Sequence, residues 1–200
     1  MKSMSLVNLF PKNSAVFGSW ETISKVISNS ISIVNVGRYD RNGWWRMLSL
    51  KDDTLFPETI GDNLYRPDLY TANAVFEYLN KGYRPQFLWI SLGDTDEFAH
   101  MGDYKNYLES LKKADKFIGE LIAKYDSNTT FIITTDHGRG MGWRDHGSDK
   151  ESARTWFMMY GNKIPARGFT DYTYTVHSAD IYDTVAHIAF DKKSDRSLLK

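Results

Sequence analysis

Cysteine is absent from this chain of 200 residues, so disulfide bonds and thiolate metal ligands are both excluded. Any metal ion bound here must be held by carboxylates and imidazoles, which directs attention to Asp, Glu and the five histidines. An excess of either charge is also absent, because 25 Lys and Arg residues balance 25 Asp and Glu residues. We therefore expect no nucleic-acid partner.

Long apolar runs are absent as well. No segment approaches the roughly 18 apolar residues of a membrane-spanning helix, and residues 1–11 lack the apolar centre of a secretory signal. We therefore expect a soluble, untargeted chain with no membrane partner. With 42% hydrophobic residues, the composition is typical of a globular protein, and we predict one domain over residues 1–200.

Apolar runs of strand length alternate with segments of helical periodicity. The predicted strands are 14–19, 31–36, 87–92, 130–134 and 156–160, and the predicted helices are 20–28, 67–81, 104–125 and 178–190. A strand, a helix and a further strand in succession favour a parallel sheet, and strands that are apolar on both faces lie between helical layers. We predict a three-layer α/β/α sandwich with a mostly parallel sheet. Residues 37–66, rich in Gly, Asp, Asn and Arg, are predicted to form an irregular excursion near the site.

Two clusters of ionisable side chains each follow a predicted strand. The segment GDTDEFAH follows the strand 87–92, and TDHGRGMGWRDHGSD comes at the end of the strand 130–134. Ligands bind at the carboxyl ends of the strands in open α/β sheets, so the clusters are neighbours if their strands are neighbours. The candidate metal ligands in the clusters are Asp96, His100, Asp136, His137 and His146.

The spacing within each cluster suits metal ligation. Asp96 and His100 can close on one ion if the turn leads into a helix, and Gly138 is predicted to supply a permissive backbone that aims Asp136 and His137 inward. Each motif alone has an ordinary explanation, since Asp-x-x-x-His often occurs by chance and a histidine after a strand can cap a helix. Their joint occurrence at two strand ends favours a metal site.

At these residues the sequence resembles the alkaline phosphatase superfamily, which includes phosphodiesterases, sulfatase relatives and cofactor-independent phosphosugar mutases. DTDEFAH stands in the place of the family's Asp-x-x-x-His motif, and TTDHG and RDHGSD follow in the family's order. The resemblance implies two divalent metal ions, with Zn²⁺ as first choice and Mn²⁺ as the alternative. It assigns Asp96, His100 and His146 to one ion, and Asp136 and His137 to the other.

The resemblance also implies a function. It predicts a metal-dependent hydrolase of small-molecule phosphate or sulfate esters, of the two-metal phosphatase or phosphodiesterase type. The family's N-terminal Asp ligand and its Ser or Thr nucleophile are not recognisable, so the chain is expected to be a C-terminal portion of a larger enzyme. Two alternatives stay open, a catalytically inactive metal-binding remnant or accessory domain and a phosphosugar mutase.

The missing first strands of the family's sheet lead to a further expectation about partners. A sheet without them predicts self-association, or association with a missing N-terminal segment. Full-length relatives in the family are often exported, although this chain itself shows no signal segment.

Several other residues near the motifs have two explanations each. Arg139 and Arg144 could contact a phosphate bidentately or be surface charges. His177 is expected to cap the last helix, with a role as a further metal ligand as the alternative, and His187 is expected in the core.

Two acidic residues beside the Asp-x-x-x-His motif and three aromatic residues of the segment 37–66 are further candidates for roles at the site. Asp94 and Glu97 are expected to accept hydrogen bonds from ligand imidazoles. Trp44, Trp45 and Tyr65 could stack on a substrate, but the aromatic content of 14% favours a place in the hydrophobic core.

Overall fold

The computed structural model describes residues 6, 9–11, 13–26, 33–37, 39–40, 65–170 and 175–199. They belong to two compact units. The N-terminal unit is Val7–Ile118, and the C-terminal unit is Met1–Leu6 with Gly119–Lys200. Among the described residues, no helix combines the length and the apolar character that crossing a membrane requires.

A four-stranded sheet forms the centre of the N-terminal unit. Its strands are β1 (Ser14–Gly18), β2 (Ile33–Val36), β3 (Tyr39–Asp40) and β4 (Phe87–Ser91), arranged in the order β3-β2-β1-β4. β1 runs parallel to both β2 and β4, whereas β3 is antiparallel to β2. Every residue of β1 is buried, as expected for an inner strand of a parallel sheet.

Four helical segments begin in this unit. They are a 3₁₀ helix (Glu21–Val26), α1 (Asp68–Asn80), α2 (Asp94–His100) and α3 (Tyr104–Ala123). The 3₁₀ helix packs Ile23 against Val16, Val34 and Val36 in an aliphatic cluster that Phe87 and Trp89 cover at one side. α2 begins three residues after β4, so the predicted Asp-x-x-x-His motif is helical.

Arg66 is a fully buried cation beside this sheet. Its Nε donates to Thr71 Oγ1 at 2.9 Å, its Nη1 to the Gly37 carbonyl at 3.2 Å and its Nη2 to the Asn35 carbonyl at 3.0 Å. The guanidinium therefore ties the start of α1 to the carboxyl end of β2. Buried backbone carbonyls need such donors, because an unpaired one costs free energy.

The C-terminal unit is built on β5 (Phe131–Thr134), β6 (Phe157–Tyr160) and α4 (Asp180–Phe190). β5 and β6 pair in antiparallel register, with Ile132 opposite Met159. The last described residues pack on α4, where Arg196 pairs with Asp180 at 2.5 Å and the Leu198 N–H donates to Thr184 Oγ1 at 3.0 Å.

The predicted α/β class and the predominantly parallel sheet are confirmed. Each predicted strand and helix is present within a few residues of its expected bounds, although the helix predicted at 20–28 is a 3₁₀ helix and the first two residues of the strand predicted at 31–36 lie outside the described residues.

The predicted pairing of the strand at 130–134 is wrong. We expected this strand to belong to the same parallel sheet as the strand at 87–92, but among the described residues β5 pairs only with β6, in a separate antiparallel sheet. An apolar run of strand length predicts a strand without specifying its partner. The alternating exposure of β6, with Met158 and Tyr160 exposed, also differs from the burial expected inside a parallel sheet.

The excursion predicted at 37–66 is described only at its ends. Tyr39–Asp40 form a strand, and both Tyr65 and Arg66 are buried. The prediction that Tyr65 lies in the hydrophobic core is therefore confirmed. Trp44 and Trp45 lie outside the described residues.

We predict that Arg66→Met lowers the free energy of unfolding by about 3 kcal/mol, because the variant loses the hydrogen bonds that the guanidinium donates to two buried carbonyls and to the Thr71 hydroxyl. Denaturant unfolding followed by circular dichroism would measure the change. The matched control is Arg167→Met, which removes an exposed guanidinium and should change stability by no more than about 0.5 kcal/mol. Equal stabilities of the two variants would contradict the role assigned to Arg66.

Candidate metal centre

Asp96 and His100 lie one helical turn apart on α2. Their side chains therefore share a face of the helix, and His100 Nε2 is 3.5 Å from Asp96 Oδ2. The His100 side chain is 38% exposed and the Asp96 side chain 35%, so an ion from solvent can reach both. The helix on which their predicted convergence depended is thus present.

The other ligand candidates belong to the loop after β5. The His137 N–H donates to Asp136 Oδ1 at 3.1 Å, and His137 Nδ1 lies 2.9 Å from the Gly138 carbonyl oxygen. Because a carbonyl can only accept, Nδ1 carries the hydrogen in this contact, and Nε2 of the neutral ring keeps its lone pair. A hydrogen bond of this kind orients many metal-bound histidines.

His146 returns to the same loop region from the glycine-rich segment. Its ring stacks on the ring of His137 with centroids 3.6 Å apart and an interplanar angle of 22°. The loop therefore brings a carboxylate and two imidazoles together in the C-terminal unit. In the N-terminal unit, α2 brings Asp96 and His100 together.

Gly138 allows the loop to pack tightly, and its role differs from the one predicted. Its N–H donates to the Ser152 carbonyl at 2.7 Å, and a Cβ atom on Gly138 would meet the carbonyl oxygens of Glu151 and Arg154, the former at 2.5 Å. Its φ angle is not in the left-handed region. Gly138 is therefore needed for close approach of two backbone segments and not for a special turn conformation.

The backbone just after His146 is held by side-chain hydrogen bonds. Ser152 Oγ accepts the Gly147 N–H at 3.0 Å and donates to Asp149 Oδ2 at 2.6 Å, while the Ser152 N–H donates to Asp149 Oδ1 at 2.8 Å. These bonds from Ser152 lower the pKa of Asp149. The loop that carries His146 is thus closed by an ionised carboxylate.

The two arginines of the loop differ in their contacts. Arg139 Nη1 donates to the Arg144 carbonyl at 3.0 Å, so Arg139 helps to close the loop. Arg144 itself is exposed. Of the two candidate phosphate contacts, Arg144 is the more accessible.

The remaining histidines have structural contacts. His177 takes part in the start of α4 through its backbone N–H, which donates to Asp180 Oδ2 at 2.8 Å, while its side chain is exposed. His187 is partly buried, and its Nδ1 lies 2.9 Å from Ser197 Oγ.

A group of buried and half-buried polar residues at the start of α2 was not predicted. Asp68 Oδ1 accepts hydrogen bonds from Ser19 Oγ at 2.5 Å and from the Gly93 N–H at 2.8 Å, and the Tyr65 hydroxyl donates to Asp94 Oδ1. Asp94 thus faces α1, and not a ligand imidazole as we expected. The only local signal for Asp68 was its place in the first helical turn after Pro67, a position where acidic residues are common.

Burial shifts the titration of this group. Desolvation, followed by the charge of Asp94, raises the pKa of Asp68 to about 7, while the hydrogen bonds donated by Ser19, Gly93 and Asp94 act in the opposite direction. Burial together with the charges of Asp68 and Asp94 raises the pKa of Tyr65 far above its usual range. Tyr65 therefore stays a neutral donor.

Comparison with known proteins places these observations in a family. The model of a family described as the metalloenzyme superfamily matches residues 57–184, which is more than half of the chain and contains all five ligand candidates. The chain belongs to the metalloenzyme superfamily. Membership implies bound metal ions, and it confirms the resemblance to alkaline phosphatase-like proteins.

Curated proteins with similar sequences are much longer than the matched regions. Human GPI ethanolamine phosphate transferase 1 is 29% identical over 111 residues, which are 49% of this chain and 12% of that protein. The phosphopentomutase of Deinococcus radiodurans is 32% identical over 81 residues, which are 40% of this chain and 20% of that protein. The phosphopentomutase of Sodalis glossinidius is 32% identical over 89 residues, 44% of this chain and 21% of that protein. This metalloenzyme chain therefore spans about a fifth or less of the length of these relatives.

We predict that Gly138→Ala lowers the free energy of unfolding by about 2 kcal/mol or more, because the added methyl group overlaps two backbone carbonyls. Gly142→Ala is the matched control in the same loop, since its Cβ would meet nothing within 4 Å. Loss of backbone freedom in the unfolded chain should leave that control unchanged or stabilise it by about 0.4–1 kcal/mol. Thermal and denaturant unfolding of both variants would measure the two changes, and equal stabilities of the two variants would contradict the role assigned to Gly138.

We further predict a pH dependence of stability that Asp68 causes. Folding raises the pKa of Asp68 from its ordinary value of 3.8 to about 7, so the folded state binds the proton more tightly than the unfolded state. The resulting stabilisation is complete below about pH 4 and is lost as the pH rises through about 7. Between pH 5 and pH 8, the unfolding free energy of the wild type should therefore fall relative to that of Asp68→Asn. A difference independent of pH would contradict this.

Proposed function

We propose that this chain carries the metal ligands of a metal-dependent hydrolase of small phosphate or sulfate esters, of the two-metal phosphatase or phosphodiesterase type. The proposal rests on two clusters that each combine carboxylate and imidazole groups. One cluster is on α2 and the other is in the loop after β5, and both lie inside the matched region of the metalloenzyme family. The relatives support phosphoryl chemistry, because the names of the ethanolamine phosphate transferase and of the phosphopentomutases both contain a phosphate compound.

The donor atoms fit divalent metal ions. Carboxylate oxygens and neutral imidazole nitrogens suit zinc and manganese alike, and His137 Nε2 lies 3.7 Å from Asp136 Oδ1, so the two donor groups are already close together. From the resemblance, we propose that Asp96, His100 and His146 hold one ion and that Asp136 and His137 contribute to the other. Zn²⁺ is the first choice and Mn²⁺ the second.

The chain's own residues would orient the ligands and the substrate. A bound divalent ion would supply Lewis-acid neutralisation of the charge on the ester oxygens. The hydrogen bond from His137 Nδ1 to the Gly138 carbonyl fixes the direction of Nε2, and the exposed guanidinium of Arg144 can bind two oxygens of a phosphate or sulfate group. The nucleophile is not assigned to a residue of this chain.

A phosphosugar mutase is the second candidate, because two phosphopentomutases and a 2,3-bisphosphoglycerate-independent phosphoglycerate mutase of Ignicoccus hospitalis are among the relatives. The two reactions differ in where the phosphate goes. A hydrolase releases inorganic phosphate from many esters, whereas a mutase moves the group between positions of one sugar. The third candidate, an inactive remnant, would bind metal without turnover of either kind.

We predict that His100→Ala loses about one equivalent of Zn²⁺ per chain, because it removes one of the few protein ligands of its ion. Metal analysis after dialysis against Zn²⁺ would measure the loss. His177→Ala is the matched control, since the His177 side chain is exposed and its backbone makes the contact with Asp180. Equal zinc contents in the wild type and His100→Ala would rule out the proposed ligand set.

Any activity should follow the metal content. Where the wild type releases phosphate or sulfate from nitrophenyl esters, His100→Ala should lower kcat/KM by about 100-fold or more, as expected when a metal ligand is lost.

A further inference from the structure

We propose that Asp68 is a positioning residue for the metal ligands Asp96 and His100. It acts through a reciprocal cap, defined here as the set of hydrogen bonds by which Asp68 and Asp94 each cap the helix that the other one begins. The inference rests on the proposed function, because it assigns Asp96 and His100 to a metal ion.

One half of the reciprocal cap holds α2. The first N–H groups of a helix have no partner inside the helix, and the N-cap residue of α2, Gly93, has no side chain to supply one. Asp68 fills this place from outside. Its Oδ1 accepts the Gly93 N–H at 2.8 Å and its Oδ2 accepts the Asp94 N–H at 3.0 Å.

The other half holds α1 by the same means. The N-cap residue of α1 is Pro67, which makes no side-chain cap. Asp94 Oδ1 accepts the Asp68 N–H at 2.9 Å and also a hydrogen bond from the Tyr65 hydroxyl.

The reciprocal cap is anchored to the sheet through Ser19, which follows β1. Ser19 Oγ donates to Asp68 Oδ1 at 2.5 Å, and the Ser19 N–H donates to the carbonyl of Ser91, the last residue of β4. Asp68 is therefore fixed relative to β1, which Ser19 follows, and to β4, the strand that α2 follows.

Packing leaves little freedom at the start of α2. A Cβ atom on Gly93 would lie 2.6 Å from Cε2 of Tyr65, so the backbone at Gly93 runs against the Tyr65 ring. Gly93 is thus held by the ring and by its hydrogen bond to Asp68.

α2 depends on this restraint more than α1 does. α2 has seven residues, of which Asp94 and Ala99 are buried, whereas α1 has 13 residues and buries Ala74, Val75, Tyr78 and Leu79 as well as Thr71. A helix as short as α2 has little stability of its own. Because Asp96 lies in its first turn and His100 at its end, movement of the α2 N-terminus displaces both ligands.

The test compares Asp68→Ala and Asp68→Asn with Thr71→Val. Thr71 is a matched control because the hydrogen bonds of its hydroxyl go to Ser19 Oγ and Arg66 Nε in the same group, and neither partner belongs to α2. Two quantities are measured at a temperature where every variant is folded. They are the amide hydrogen exchange of Gly93–Glu97 in the metal-free protein, and the Zn²⁺ affinity, by chelator competition, of the site that His100→Ala abolishes.

We expect Asp68→Ala to accelerate exchange in Gly93–Glu97 roughly tenfold and to weaken Zn²⁺ binding about 10- to 100-fold, the usual effect of losing a group that orients a metal ligand. Asp68→Asn should show smaller changes of both kinds, because its amide keeps one acceptor oxygen. The Asp68→Asn variant can also test the inference alone if Asp68→Ala does not fold. Thr71→Val should lose stability without changing either quantity.

The outcomes separate this inference from the proposed function. Wild-type exchange and affinity in both Asp68 variants would overturn the positioning role alone. Equal weakening of Zn²⁺ binding in Thr71→Val would also overturn it, since loss of stability would then explain the effect. A wild type that binds no Zn²⁺ would overturn the proposed function and the positioning of metal ligands together.

Discussion

The arrangement of the N-terminal unit depends on how two carboxylates satisfy backbone N–H groups at two helix starts. Asp68 and Asp94 are 26 positions apart in sequence, yet each supplies the acceptor that the other's helix lacks. Because the Asp68 carboxyl is desolvated in doing so, its pKa rises to about 7, and the backbone hydrogen bonds offset part of the cost. The position of α2, and with it Asp96 and His100, follows from this exchange of acceptors.

Local sequence patterns were sufficient for the elements and for the ligand candidates. The apolar run at β1 and the helical periodicity of α1 each depend on neighbouring residues, so the sequence predicts them directly. The same is true of Asp96 and His100, whose spacing matches one helical turn. His146 was predicted as a candidate ligand from the same cluster as His137, and its ring stacks on that of His137.

Features that depend on distant partners were not predictable in this way. β5 has the composition of an inner parallel strand, but backbone hydrogen bonds are the same for any partner, and it pairs with β6 instead. Asp68 is an ordinary first-turn residue in sequence, and only the fold brings its carboxylate to Gly93. The need for Gly138 likewise comes from the carbonyls of residues 151–154, which no local pattern specifies.

The reciprocal cap also determines where this chain can accept a change in length. The connection between α1 and β4, residues 81–86, is largely exposed and lies outside the cap, so insertions there can be absorbed as surface loop. Between the end of β4 and Asp94 there are only two residues, Leu92 and Gly93, and an insertion there would carry the α2 N-terminus away from Asp68. In this chain, the loop on the α1 side of β4 is therefore open to insertion, whereas the connection on its other side has a fixed length.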